Sequence, residues 1–131
     1  MDTVRSERFD QGLAVRRAVL GDAYVDQAIG NADDLSNPLQ ELVTEYCWGA
    51  VWTREGLDRR TRSLLNVAML SALNRPDELS LHLAGALRNG CTKEEIREVI
   101  LQVGIYAGVP AAIDAMRKLK AVLADTDMDD I

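Results

Sequence analysis

Residues 92–103 read Thr92-Lys93-Glu94-Glu95-Ile96-Arg97-Glu98-Val99-Ile100-Leu101-Gln102-Val103. Thr92 three residues before Glu95 is a capping box, in which each side chain satisfies a backbone N–H that the first helical turn leaves without a partner. Ile96, Val99, Ile100 and Val103 then recur at intervals of three and four, the period of one helix face. The same grammar extends in both directions. Downstream, this helix stops near Gly108, and Pro110 opens another carrying Ile113, Met116, Leu119, Val122 and Leu123. Upstream, a helix from Asp77 to Asn89 ends at Gly90, a residue suited to the left-handed stop of a helix. Asn74-Arg75-Pro76 breaks it from a helix that starts at Asp58 as N-cap and runs to about Leu73. Thr61, Leu64, Leu65, Ala68, Met69 and Ala72 are expected to face inward there.

The first third of the chain continues the pattern. A helix from about Ser6 to Leu20 carries Phe9, Leu13, Arg16 and Leu20 on one stripe and stops at Gly21. A short one follows from Tyr24 to about Ala32. A third opens at Ser36 or Asn37 with Pro38 in its first turn. Its apolar face is expected to be Leu39, Leu42, Val43, Tyr46 and Cys47. Strand signals are scarce, and the connections are short. The expected architecture is all-α, a compact bundle of six to seven helices.

With 131 residues the chain matches the usual size of one domain, expected here over residues 1–124. Hydrophobic residues make up 47% and charged residues 27%, which excludes a disordered or collagenous chain. No apolar run approaches the ~18 residues of a membrane span. The charged N-terminus reads as lacking a secretory signal, so the expected setting is cytoplasmic and reducing. The net charge of −6 is concentrated at the end, with Asp125, Asp127, Asp129 and Asp130 in the last seven residues. Residues 125–131 therefore read as a solvated acidic tail, and the near-neutral remainder gives no nucleic-acid footprint. Cys47 and Cys91 lie 44 residues apart, His82 is the only histidine, and no metal-ligand spacing exists. No metal site is expected, and both cysteines read as small buried side chains.

Four features are chemically suggestive. His82 follows Glu78 by one helical turn, a spacing at which a carboxylate can orient an imidazole and raise its pKa. The alternative is a surface histidine beside an exposed acid. Arg54, Arg59, Arg60 and Arg62 cluster where guanidinium groups suit carboxylate binding, or simply form a solvated helix start. Trp48 and Trp52 are either core or the apolar wall of a pocket. Tyr106-Ala107-Gly108-Val109-Pro110 is a helix stop and restart whose small residues permit close approach.

Three stretches together carry a resemblance. His82-Leu83-Ala84-Gly85-Ala86-Leu87-Arg88-Asn89-Gly90, then Thr92-Lys93-Glu94-Glu95-Ile96, then Tyr106-Ala107-Gly108-Val109-Pro110-Ala111-Ala112 resemble the carboxymuconolactone decarboxylase family, within the alkylhydroperoxidase-like superfamily. Gly12 to Gly21, Trp48-Gly49-Ala50-Val51-Trp52 and Gly56 to Leu64 are similar to its members that act on 4-carboxymuconolactone. The peroxidase branch of the superfamily carries two thiols at positions that here are Arg75 and Glu78. That departure sets the thiol-dependent peroxidase or reductase alternative behind the decarboxylase.

The resemblance implies loss of CO2 from 4-carboxymuconolactone to give the β-ketoadipate enol-lactone, in aromatic-acid breakdown through protocatechuate and the β-ketoadipate pathway. It implies no cofactor, a small dianionic lactone as substrate, and a homo-oligomer, commonly a hexamer, with a trimer or dimer as alternatives. On this reading His82, held by Glu78, is the general acid or oxyanion donor. Arg62 and Arg54 bind carboxylates, while Trp48, Trp52 and Tyr106 wall the pocket. The remaining alternative is a non-catalytic helical assembly module.

Overall fold

A computed structural model describes residues 6–125. It divides between Leu57 and Asp58 into two compact units. Among the described residues there are seven α-helices, one π-helical segment and no strand.

The first unit holds α1 (Glu7–Leu20), α2 (Asp22–Gly30), α3 (Asn37–Leu42) and a π-helical continuation of α3 over Val43–Trp52. Ser6 caps α1, its Oγ accepting from the Phe9 N–H at 3.0 Å. Gly21, at φ +90°, takes a conformation that side chains rarely adopt, so α1 ends and α2 begins at once. Arg17 fastens the two, donating to Asp22 at 3.4 Å and Asp26 at 2.7 Å.

α1 and the π-helical segment cross with their backbones in contact, and two glycines make this possible. A Cβ on Gly12 would stand 2.2 Å from the Thr44 carbonyl oxygen and 2.6 Å from the Gly49 nitrogen. One on Gly49 would stand 2.4 Å from the Arg8 carbonyl oxygen. The crossing decides which face of the third helical stretch is buried, and it is the opposite of the expected one. Thr44, Trp48, Gly49 and Trp52 are buried, while Leu39, Leu42 and Tyr46 are exposed. Backbone contact at Gly12 admits the small Thr44 and Gly49; a row of branched aliphatics would hold the helices apart. Cys47 shares the outward face and is exposed, contrary to expectation.

The second unit holds α4 (Arg59–Ala72), α5 (Pro76–Arg88), α6 (Lys93–Tyr106) and α7 (Val109–Asp125). Asp58 caps α4, accepting from the Thr61 N–H at 2.8 Å. The capping box is complete, with the Glu95 N–H donating to Thr92 Oγ1 at 3.0 Å and the Thr92 N–H donating to Glu95 Oε1 at 2.9 Å. Arg60 pairs with the same Glu95 and donates to the Gly90 carbonyl, tying the α5–α6 turn to the start of α4. The core gathers Val67, Leu79, Leu83, Ala86, Ile96, Ile100, Ala115 and Leu119 from all four helices.

The inward face of α4 also differs from expectation. Ser63, Val67 and Ser71 are buried, whereas Leu65 and Met69 are exposed. α4 is apolar on more than one side, so its periodicity marks a helix without fixing which side α5 covers. Of the expected acidic tail, Asp125 is the last residue of α7, and residues 126–131 lie outside the described residues.

Candidate active site

In the second unit α4 and α5 lie side by side with their register fixed by two polar contacts. Asn89 donates through Nδ2 to Ser63 Oγ at 2.8 Å, and Asn66 Nδ2 stands 3.3 Å from Nδ1 of His82. An amide nitrogen only donates, so Nδ1 accepts and the ring proton resides on Nε2. Arg62, half-buried, precedes Asn66 by one turn and so shares its side of α4.

His82 is 9% exposed, between the buried Leu79 and Leu83. Burial pushes its pKa down to about 4. This corrects the expectation that Glu78 would lift the ring's pKa. Glu78 is exposed in the first turn of α5, and Asn66 stands at Nδ1. Desolvation outweighs what a solvated carboxylate offers, because water screens the latter. The imidazole is therefore neutral at pH 7.

Stability carries the same signature. The folded-state pKa lies below the ordinary 6.5, so between about pH 6.5 and 4 the unfolded chain binds the extra proton. The neutral ring's contribution is complete above pH 6.5 and is lost as the pH falls through that window. Denaturant titrations from pH 7 to 4 should show a loss of about 3 kcal/mol beyond that of a His82→Gln variant. Parallel curves for the two proteins would contradict the assignment.

The other expected site residues distribute as follows. Tyr106 is 84% exposed at the end of α6 and lines an apolar groove of about 520 Å³ with Thr61, Leu65, Ala68, Met69 and Val103. That groove uses a different side of α4 from the one turned to His82, so the chain does not bring Tyr106 and His82 together on one face. Trp48 and Trp52, in the first unit, are buried and stacked, with centroids 4.8 Å apart and planes 28° from parallel. Four residues apart, the two indoles lie on one face of the helical segment. Arg54 is exposed just beyond that segment. Both cysteines are free, and desolvation raises each thiol's pKa, away from the thiolate that disulfide chemistry needs. Among the described residues no group of three or more His, Cys, Asp or Glu side chains is placed to hold a metal ion.

The model of the carboxymuconolactone decarboxylase family matches residues 37–121. The chain belongs to that family. It is 44% identical over 119 residues to the 4-carboxymuconolactone decarboxylase of Acinetobacter baylyi, covering 91% of this chain and 89% of the relative. It is 46% identical over 115 residues to the nitrosuccinic acid decarboxylase npaB of Metarhizium robertsii, covering 88% and 80%. A 4-carboxymuconolactone decarboxylase from Pseudomonas putida is 44% identical over 43 residues, covering 33% of this chain and 90% of that sequence.

Two residues of this family member escaped the sequence reading. Asn66 gave no sign, because its partner is 16 positions away on another helix. Arg16 left a trace: it is a cation at an apolar register of α1, and it is buried.

Proposed function

We propose that the protein is a decarboxylase of 4-carboxymuconolactone that draws its electron sink from the substrate. What carries this reading is the near full-length similarity to the Acinetobacter baylyi relative. The lactone's ring carboxylate sits on a carbon conjugated through C=C to the lactone carbonyl. When the carbon–carbon bond to the carboxylate breaks, its electron pair moves through the ring to that carbonyl oxygen and CO2 departs. The resulting dienolate takes a proton at the ring carbon next to the carbonyl, giving the enol-lactone. Nitrosuccinic acid is likewise a dicarboxylic acid with an acceptor, its nitro group, on the carbon that would lose CO2. The two relatives' names thus share one chemical requirement.

His82 meets the need at the oxygen. A neutral imidazole with its proton on Nε2 can donate to an oxygen as charge develops there, without holding a charge of its own in a buried site. Asn66 fixes the tautomer, the role first expected of Glu78. Arg62 is assigned to a substrate carboxylate. Arg54 is assigned to a substrate carboxylate and Trp48 and Trp52 to an apolar wall by their chemical type, and Tyr106, which does not share a face with His82, is not retained. We place the enzyme in the cytoplasm as part of the β-ketoadipate pathway.

The protein is also read as a homo-oligomer, hexameric by resemblance. Support comes from the large apolar side chains that α4 and α6 expose, among them Leu65, Met69, Leu101 and Ile105. A light-scattering mass of one chain would refute it.

The functional test follows lactone absorbance and CO2 release on adding protein to 4-carboxymuconolactone, with nitrosuccinate in a second cuvette. Turnover of the lactone is expected. Turnover of nitrosuccinate alone would change the substrate and keep the reaction class, and turnover of neither would overturn the reading.

A further inference from the structure

Arg16 is 4% exposed, at the crossing of α1 with the π-helical segment. A guanidinium in such a place is costly unless an anion and further hydrogen bonds compensate it. Its neighbour Arg17 has two aspartates, and Arg60, Arg97 and Arg117 each have one carboxylate. Among the described residues Arg16 has none. It donates through one terminal nitrogen to Thr44 Oγ1 at 3.1 Å, and Thr44 in turn donates to the Gln40 carbonyl at 2.8 Å. Its Nε is buried and finds no acceptor, and the Gln40 side-chain oxygen is buried without a donor. The cation is thus held by a single neutral hydroxyl, with a second donor of its fork unused.

The Arg16 charge acts on the thiol of Cys47, a residue of the same π-helical segment. The backbone contact at Gly12 and Gly49 sets the depth of the side chain, since Gly12 precedes Arg16 by one helical turn.

We propose that Arg16 is a substrate-binding residue whose guanidinium fork receives a carboxylate of a small dicarboxylic acid. The proposal rests on the decarboxylase reading above and adds which carboxylate is held. A dianion that loses CO2 has one carboxylate that departs and one that stays. Strong pairing to the departing group would hold its charge and oppose the reaction. The acetate-arm carboxylate keeps its charge from ground state to transition state, so a tight fork there contributes binding without slowing the chemistry. Arg16 takes the arm carboxylate.

The test compares wild type with Arg16→Met, a neutral side chain of similar length. The KM for 4-carboxymuconolactone should rise by about 10- to 100-fold with kcat within about threefold. The melting temperature should equal or exceed that of wild type, because a buried, poorly compensated charge has gone. The lactone with its acetate arm esterified should bind both proteins equally poorly. An unchanged KM would overturn the proposal, as would the same fold loss with the esterified lactone. If Arg16→Met does not fold, Arg16→Lys decides: a native melting temperature with a raised KM supports a role for the fork, and a wild-type KM overturns it. Glutarate, titrated by calorimetry, separates this inference from the decarboxylase reading. Should the wild type turn over no lactone, glutarate binding that is lost in Arg16→Met still supports Arg16, and equal binding by both overturns it.

Discussion

Replacing His82 with alanine is expected to lower kcat on 4-carboxymuconolactone by about 10²- to 10³-fold, the usual cost of removing a donor aimed at developing oxyanion charge. The ring is buried, neutral at pH 7 and in contact through Nδ1 with Asn66, which puts its proton on Nε2. His82→Gln retains volume and one amide donor and should recover part of the rate. Asn66→Ala frees the tautomer without removing the imidazole and should cost less, about tenfold. Single-turnover rates with circular dichroism of each variant make the check. A near-normal rate in a folded His82→Ala protein would remove the imidazole from the chemistry.

The second large effect falls on stability. Gly12→Ala is expected to destabilise the protein by about 3 kcal/mol, at the upper end of overpacking costs. The added carbon would meet Thr44 and Gly49 backbone atoms at 2.2, 2.6 and 2.8 Å, and backbone cannot rotate aside as a side chain can. Alanine's better helix propensity offsets this by only about 1 kcal/mol. Gly30, the last residue of α2, has nothing within 4 Å of the same hypothetical carbon. Gly30→Ala should therefore be neutral or slightly stabilising, and denaturant midpoints of the pair measure the contrast. Equal midpoints would mean that the two helices do not cross as closely as described.

These two positions show what a sequence discloses and what it withholds. Caps and stops are local, and Gly21, Asp58, Gly90 and Thr92 serve where their spacing predicts. Which side of a helix is buried is a property of its neighbours. α4 is apolar on several sides, and the third stretch buries Thr44 and two indoles in place of its leucines because of a glycine 32 residues upstream. The site divides along the same line. His82 stands out as the only histidine, but its environment belongs to the tertiary structure. Asn66 comes from another helix, and desolvation reverses the direction in which Glu78 was expected to move the pKa. Arg16 was visible as a cation on an apolar stripe, and only its burial without a carboxylate gives that oddity a chemical meaning.

The π-helical stretch bears on how chain length can vary in relatives of this protein. A wide turn of this kind differs from an ordinary one by a single residue per loop of hydrogen bonds. Loss of one amino acid between Val43 and Trp52 would let the segment rewind to 3.6 residues per turn and take up the missing residue within the helix. Gly49 would then lose its place against the Arg8 backbone, so a gap in this stretch would disturb the crossing with α1 more than a gap in a surface loop would.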